Sequence, residues 1–132
     1  MDSRELVPKS AYLYCKQRGH DPMVLIDSRI ISIYTALKKV FPSIHVNNWH
    51  IGGQFDQSGY RNDPNIGSKL SQHRFGRAID IHGVDHKKLY DYIIKNRTLL
   101  FKHVTAIEEL KDTPGWLHID VRFGEFKIVN GG

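Results

Sequence analysis

Two short stretches carry side chains suited to holding a metal ion. The first is Ser71-Gln72-His73-Arg74-Phe75-Gly76-Arg77-Ala78-Ile79-Asp80-Ile81, in which a histidine closes a loop, a glycine permits a tight turn and an aspartate follows on an extended segment. Neutral imidazole nitrogen and carboxylate oxygen are both good zinc ligands. A turn with a capping histidine and a solvated edge aspartate would use the same residues, so the spacing alone leaves both readings open. The second stretch is Trp116-Leu117-His118-Ile119-Asp120-Val121-Arg122. Alternate side chains of a strand leave on opposite faces. Leu117, Ile119 and Val121 then make a core face, and Trp116, His118 and Asp120 share the other, where Asp120 is placed to orient His118. An exposed polar strand face is the plainer alternative. Taken together the stretches supply two histidines and one carboxylate. Three protein ligands with a fourth position open is the pattern of catalytic zinc, in which bound water becomes a nucleophile near neutral pH.

The elements that must position these residues can be read from periodicity and caps. A first helix is expected over residues 8–18, with Pro8 near its start and Gly19 past its end. A second begins at Asp27 or Ser28, carries Ile30, Tyr34, Leu37 and Phe41 at helical spacing, and stops before Pro42. Residues 43–49 alternate weakly and read as a short strand, and 50–70 are rich in Gly, Asn, Asp and Ser and read as a long loop. Long ordered loops in small domains tend to be functional. A strand over Arg77–His82 puts Ala78 and Asp80 on one face. Asp85 caps a third helix with Leu89, Tyr92 and Ile93 inside, and two strands, 103–109 and 116–123, follow around a turn at Asp112-Thr113-Pro114-Gly115. The fold class is α+β: a small, mainly antiparallel sheet with flanking helices.

The chain has 132 residues and reads as a single domain, 1–132, long enough to bury a core. One cysteine, Cys15, excludes an intramolecular disulfide. No apolar run has the length of a signal peptide or a membrane span, so synthesis in the cytoplasm without a signal peptide and no membrane partner are expected. The formal charge of +5 favours anionic partners. The basic residues are scattered, with no helix-turn-helix or zinc-finger spacing, so no nucleic-acid partner is expected, and a carboxylate- and phosphate-rich wall would explain the charge equally well. Of the eight histidines, His20, His45, His86 and His103 sit among polar neighbours and are expected at the surface. His82 shares a strand face with Asp80 and His50 follows Trp49; both are expected in the core or at the cleft rim, not as ligands.

Ser58-Gly59-Tyr60-Arg61, the block S-Q-H-R-F-G-R-A-I-D-I at 71–81 and W-L-H-I-D at 116–120 together resemble the D-alanyl-D-alanine carboxypeptidase family of zinc peptidases. That family includes vancomycin-resistance D,D-dipeptidases and phage L-alanyl-D-glutamate endolysins, and shares a fold with the hedgehog signalling domain. The resemblance covers roughly residues 44–123, and the layout is most similar to short phage-encoded members. It implies that His73, Asp80 and His118 hold a zinc ion (Zn2+), that Arg61 faces the substrate, and that Ser71 supports His73. One departure stands out. Dipeptidase relatives place an acid three residues before the last histidine, here Gly115, and others a histidine two residues before it, here Trp116. The general base must then come from elsewhere. Glu108, where hedgehog-like relatives keep a glutamate, is the first candidate, with Asp112 and Glu109 behind it. The implied function is hydrolysis of peptidoglycan peptide stems or cross-links by a monomeric D,D-carboxypeptidase or L-alanyl-D-glutamate-type endopeptidase, acting on the wall after release or within a virion. The alternative, favoured by the missing acid, is a zinc-binding virion or wall-binding module without catalysis.

Overall fold

Two of the three α-helices among the described residues start where a carboxylate offers their exposed N–H groups an acceptor. In the computed structural model, which describes residues 1–130, α1 spans Lys9–Gln17 behind Pro8 at its N-cap. Of the single domain expected over 1–132, Gly131 and Gly132 lie outside the described residues. Helix α2 spans Ser28–Val40, and the Asp27 carboxylate accepts from Arg29 N at 2.9 Å. Helix α3 spans His86–Lys95, with Asp85 accepting from Lys87 N at 3.0 Å. The apolar stripes of α2 (Ile30, Ile33, Tyr34, Leu37) and α3 (Leu89, Ile93) are buried, as helical periodicity requires.

Four short strands complete an α+β fold: β1, Ala78–Ile81; β2, Ala106–Glu108; β3, Leu117–Asp120; and β4, Lys127–Val129. They lie in the order β1-β3-β2-β4. The pairs around β3 are antiparallel and β2 with β4 is parallel, so the sheet is mainly antiparallel. Ile79, Ile81, Ile107, Leu117 and Ile119 turn one sheet face into a core shared with both apolar stripes.

Register decides what the other face carries. Asp80 pairs with His118, and Ala78 with Asp120. On the far side of β3, Ala106 pairs with Asp120 and Ile107 with Ile119, which brings Glu108 level with His118. Paired residues point to the same face. Asp80, His118 and Glu108 therefore form one row across three adjacent strands. The neighbouring row sets Asp120 between two alanines, Ala78 and Ala106, whose methyl groups leave space for its carboxylate and for the His118 ring.

Several expected boundaries move. Residues 43–49 form no strand; His45 makes one isolated antiparallel bridge with His82. Backbone bonds in this segment go elsewhere, Asn47 N donating to the Glu5 carbonyl at 2.8 Å. The strand expected over 103–109 keeps only Ala106–Glu108, and that over 116–123 only Leu117–Asp120. Between them, a 3-10 turn at Leu110–Asp112 precedes the Pro114-Gly115 corner. Strand β4 was not among the expected elements. No helix among the described residues is long and apolar enough to cross a membrane.

Candidate metal centre

His73 belongs to a single 3-10 turn, Gln72–Phe75, whose Ser71 hydroxyl accepts from His73 N at 3.3 Å. The turn is pinned by residues 58–61. Asp80 N donates to the Ser58 carbonyl (2.8 Å), Tyr60 N to the Leu6 carbonyl (2.8 Å) and Arg61 N to the His73 carbonyl (3.1 Å). Gly59 is needed for this approach, because a Cβ there would overlap the Leu6 carbonyl. In return the Gly59 carbonyl accepts from His73 Nδ1 at 3.0 Å. That bond commits Nδ1 as the donor and turns Nε2 toward Asp80 Oδ1, 3.3 Å away.

His118 is fixed in the mirror sense. Its Nε2 donates to Asp120 Oδ2 at 2.9 Å, and its Nδ1 lies 2.9 Å from Asp80 Oδ1. The ligand atoms of His73, Asp80 and His118 lie within 4.8 Å of one another, so this group could hold a metal ion. The donor chemistry fits one. Each imidazole has its remote nitrogen committed to a carbonyl or carboxylate, the arrangement that orients histidine ligands, and its near nitrogen converges with a carboxylate oxygen.

Electrostatics follow from this crowding. Burial pushes the Asp80 carboxyl upward, yet the hydrogen bonds from His118 and His73 outweigh it and hold the group below the usual carboxylate range. Burial likewise resists charge on His118, but Asp120 and Asp80 push its pKa up to about 9. Asp120 is wholly buried; the bonds from Arg122 and His118 overcome that burial and keep its pKa at about 2. With its pKa raised to about 9, His118 of the metal-free protein holds a second proton at neutral pH, and a metal binding at Nδ1 would displace that proton. The raised folded pKa gives a signed expectation. The stabilisation from the charged His118 is complete below about 6.5 and is lost as pH rises through about 9. Urea midpoints of chelator-stripped protein should fall across that window, and those of His118→Asn should not.

Arg61 and Glu108 also reach the cleft, which encloses about 380 Å³. Arg61 is largely buried, with Nη2 3.7 Å from Asp80 Oδ2 and Nε donating to the Gln57 carbonyl at 3.2 Å. Glu108 Oε2 stands 3.9 Å from His118 Nδ1. Burial raises the Glu108 pKa, with His118 opposing and Asp80 and Asp112 reinforcing the rise. The loop that cradles Arg61 lacks regular structure but not partners: the Arg74 guanidinium donates to the carbonyls of Ser68 (2.8 Å), Asp63 (3.1 Å) and Ile66 (2.7 Å). Gly67 sits in that loop at φ +73°, and a Cβ there would come within 2.6 Å of Arg61 Nη1. Gly67→Ala should cost about 1 kcal/mol in urea unfolding, because an L-residue is strained at positive φ, and should displace Arg61 while leaving metal content unchanged.

The remaining expected site residues are scattered. Glu109 pairs with Lys111 at 3.2 Å, and neither Glu109 nor Asp112 lines the cleft. His82 does not line it either: its ring stacks on Phe55 at 4.1 Å and its Nε2 meets Ser58 Oγ at 3.1 Å. His50 packs edge-on to Trp49, away from the cleft lining. His45, expected at the surface, is half-buried against His82. Trp116 and Arg122 line the cleft without having been assigned a role. Their signal was the strand alternation that places them on the face of His118. No family model, curated protein or solved structure matches this chain.

Proposed function

We propose that the protein is a zinc-dependent peptidase that hydrolyses peptidoglycan peptides, in their stems or cross-links. One observation carries this reading: three converging metal donors lie in an open cleft beside a carboxylate and an arginine that are not among those donors. A structural zinc site is closed by four protein ligands, whereas a catalytic one keeps a position free. Two imidazoles and a carboxylate suit zinc, which when bound supplies Lewis acidity and a water of lowered pKa.

The chain's own residues do the rest. Glu108, with its raised pKa, is suited to take a proton from the attacking water and return it to the leaving amine. It replaces the acid that related peptidases carry at the position of Gly115. Arg61 offers N–H groups to the carbonyl oxygen as negative charge develops there. Asp120 and the Gly59 carbonyl hold the two imidazoles in register. The peptidoglycan assignment draws on the motif resemblance and on the +5 charge, which suits a carboxylate-bearing wall. The same reading takes the protein as a monomer of phage type that reaches the wall after release or within the virion.

Metal analysis combined with mass spectrometry of digested muropeptides tests the proposal. Stoichiometric zinc and shortened stem peptides are expected. Stoichiometric zinc with intact muropeptides across several wall chemotypes would instead favour a zinc-bearing binding module.

A further inference from the structure

Arg122 follows β3 on the face that carries His118 and Asp120, and its side chain lines the cleft. One edge of its guanidinium is spent. Nε donates to Asp120 Oδ1 at 2.7 Å, Nη2 donates to Asp120 Oδ2, and the backbone N of Arg122 donates to Oδ1 at 3.1 Å. Asp120 is fully buried and also receives Nε2–H of His118, so both its oxygens are committed. Thr105 Oγ1 fixes the Arg122 carbonyl from the other side.

The opposite edge of the guanidinium is free. Among the described residues Nη1 has no hydrogen-bond partner, and the side chain remains 28% exposed. An arginine braced along one edge cannot fold away, and it binds a planar anion with little further loss of freedom. The surroundings permit that anion. With a divalent ion bound, it and the two arginines would bring four positive charges to the cleft against three negative from Asp80, Glu108 and Asp120, leaving one positive charge.

We propose that Arg122 is a carboxylate-recognition residue, its free edge holding a carboxylate of the peptide close to the scissile amide. The location of that amide rests on the peptidase reading; the anion site does not. A stem peptide offers such a carboxylate in two places, its C-terminus and the α-carboxylate of γ-linked D-glutamate.

Calorimetric titration of the zinc-loaded chain, with Glu108→Gln to prevent turnover, separates these sources. The ligands are L-Ala-γ-D-Glu-L-Lys-D-Ala-D-Ala as the free acid, amidated at the C-terminus, amidated at D-glutamate, or amidated at both. One of the single amides should bind roughly tenfold more weakly than the acid, the scale of one charge-assisted hydrogen bond. Arg122→Ala should erase that difference and leave the affinity of the same amide unchanged, whereas a merely structural role would weaken acid and amide alike. If Arg122→Ala fails to fold or to retain zinc, Arg122→Lys, which keeps a charge for Asp120 but not the planar free edge, should reduce the same ratio. Equal binding of acid and amides, a ratio that survives substitution, or no binding would overturn the proposal. Muropeptide cleavage by the unsubstituted protein is scored separately, so selective binding without cleavage would remove the peptidase reading and retain Arg122.

Discussion

Asp80→Ala should lose stoichiometric zinc and hydrolysis together. Asp80 is the hub of the site: one oxygen, Oδ1, lies 3.3 Å from His73 Nε2 and 2.9 Å from His118 Nδ1. Removing it deletes the anionic donor of a three-donor set and leaves two imidazoles with nothing to draw them together. Residues that merely orient a ligand typically contribute 10- to 100-fold in metal affinity, so loss of the ligand itself should exceed about 100-fold. Asp120→Asn should fall within that lower range, because it alters the hydrogen bond to His118 and spares the donors. Competition with a chromogenic chelator, with circular dichroism to confirm the fold, measures both. Retention of tight zinc by a folded Asp80→Ala protein would mean the ion sits elsewhere.

Glu108→Gln should show the reverse separation. Zinc content and fold stay intact, while kcat falls by roughly 10²- to 10⁴-fold, the usual contribution of a general acid–base group. The amide matches the carboxylate in shape, so the packing around β2 is undisturbed and KM should change little. Glu109→Gln and Asp112→Asn, whose side chains lie outside the cleft lining, should leave kcat within a few-fold. A fully active Glu108→Gln enzyme would remove Glu108 from the mechanism.

The legible parts of this fold were those governed by local rules. Asp27 and Asp85 announce their helices because a carboxylate just before an apolar stripe has an evident task, and Leu117, Ile119 and Val121 reveal which face of β3 is buried. The polar face of β3 was legible for the same reason, His118 and Asp120 standing opposite those three. The set His73, Asp80 and His118 was expected from the two motifs and the resemblance, and the structure brings its ligand atoms within 4.8 Å of one another. What stayed hidden depends on partners distant in sequence. Residues 43–49 alternate like a strand, but Asn47 directs its backbone N–H to Glu5 and its side-chain carbonyl accepts from Ser58 N at 3.0 Å, so no ladder can run through it. Strand β4 pairs in parallel at the sheet edge, where Lys127 and Ile128 are exposed and no tight hairpin marks its start. Glu108 was expected through the resemblance and not through its own strand, since its place beside His118 rests on the register between β2 and β3, which three residues cannot disclose on their own.

The bond from Tyr60 N to the Leu6 carbonyl bears on when, during folding, a metal can be captured. The His73 ring is oriented by Gly59, and Gly59 is pressed against Leu6, while the last donor, His118, lies more than a hundred residues further along the chain. Contacts of such long range close late, after much of the chain-closure entropy has been met. A ribosome-bound fragment ending before residue 118 would therefore hold neither the full donor set nor the sheet that aligns it. Metal uptake would then report on the finished fold, and a truncation that removes Leu6 should leave the donors present in sequence yet slow to assemble.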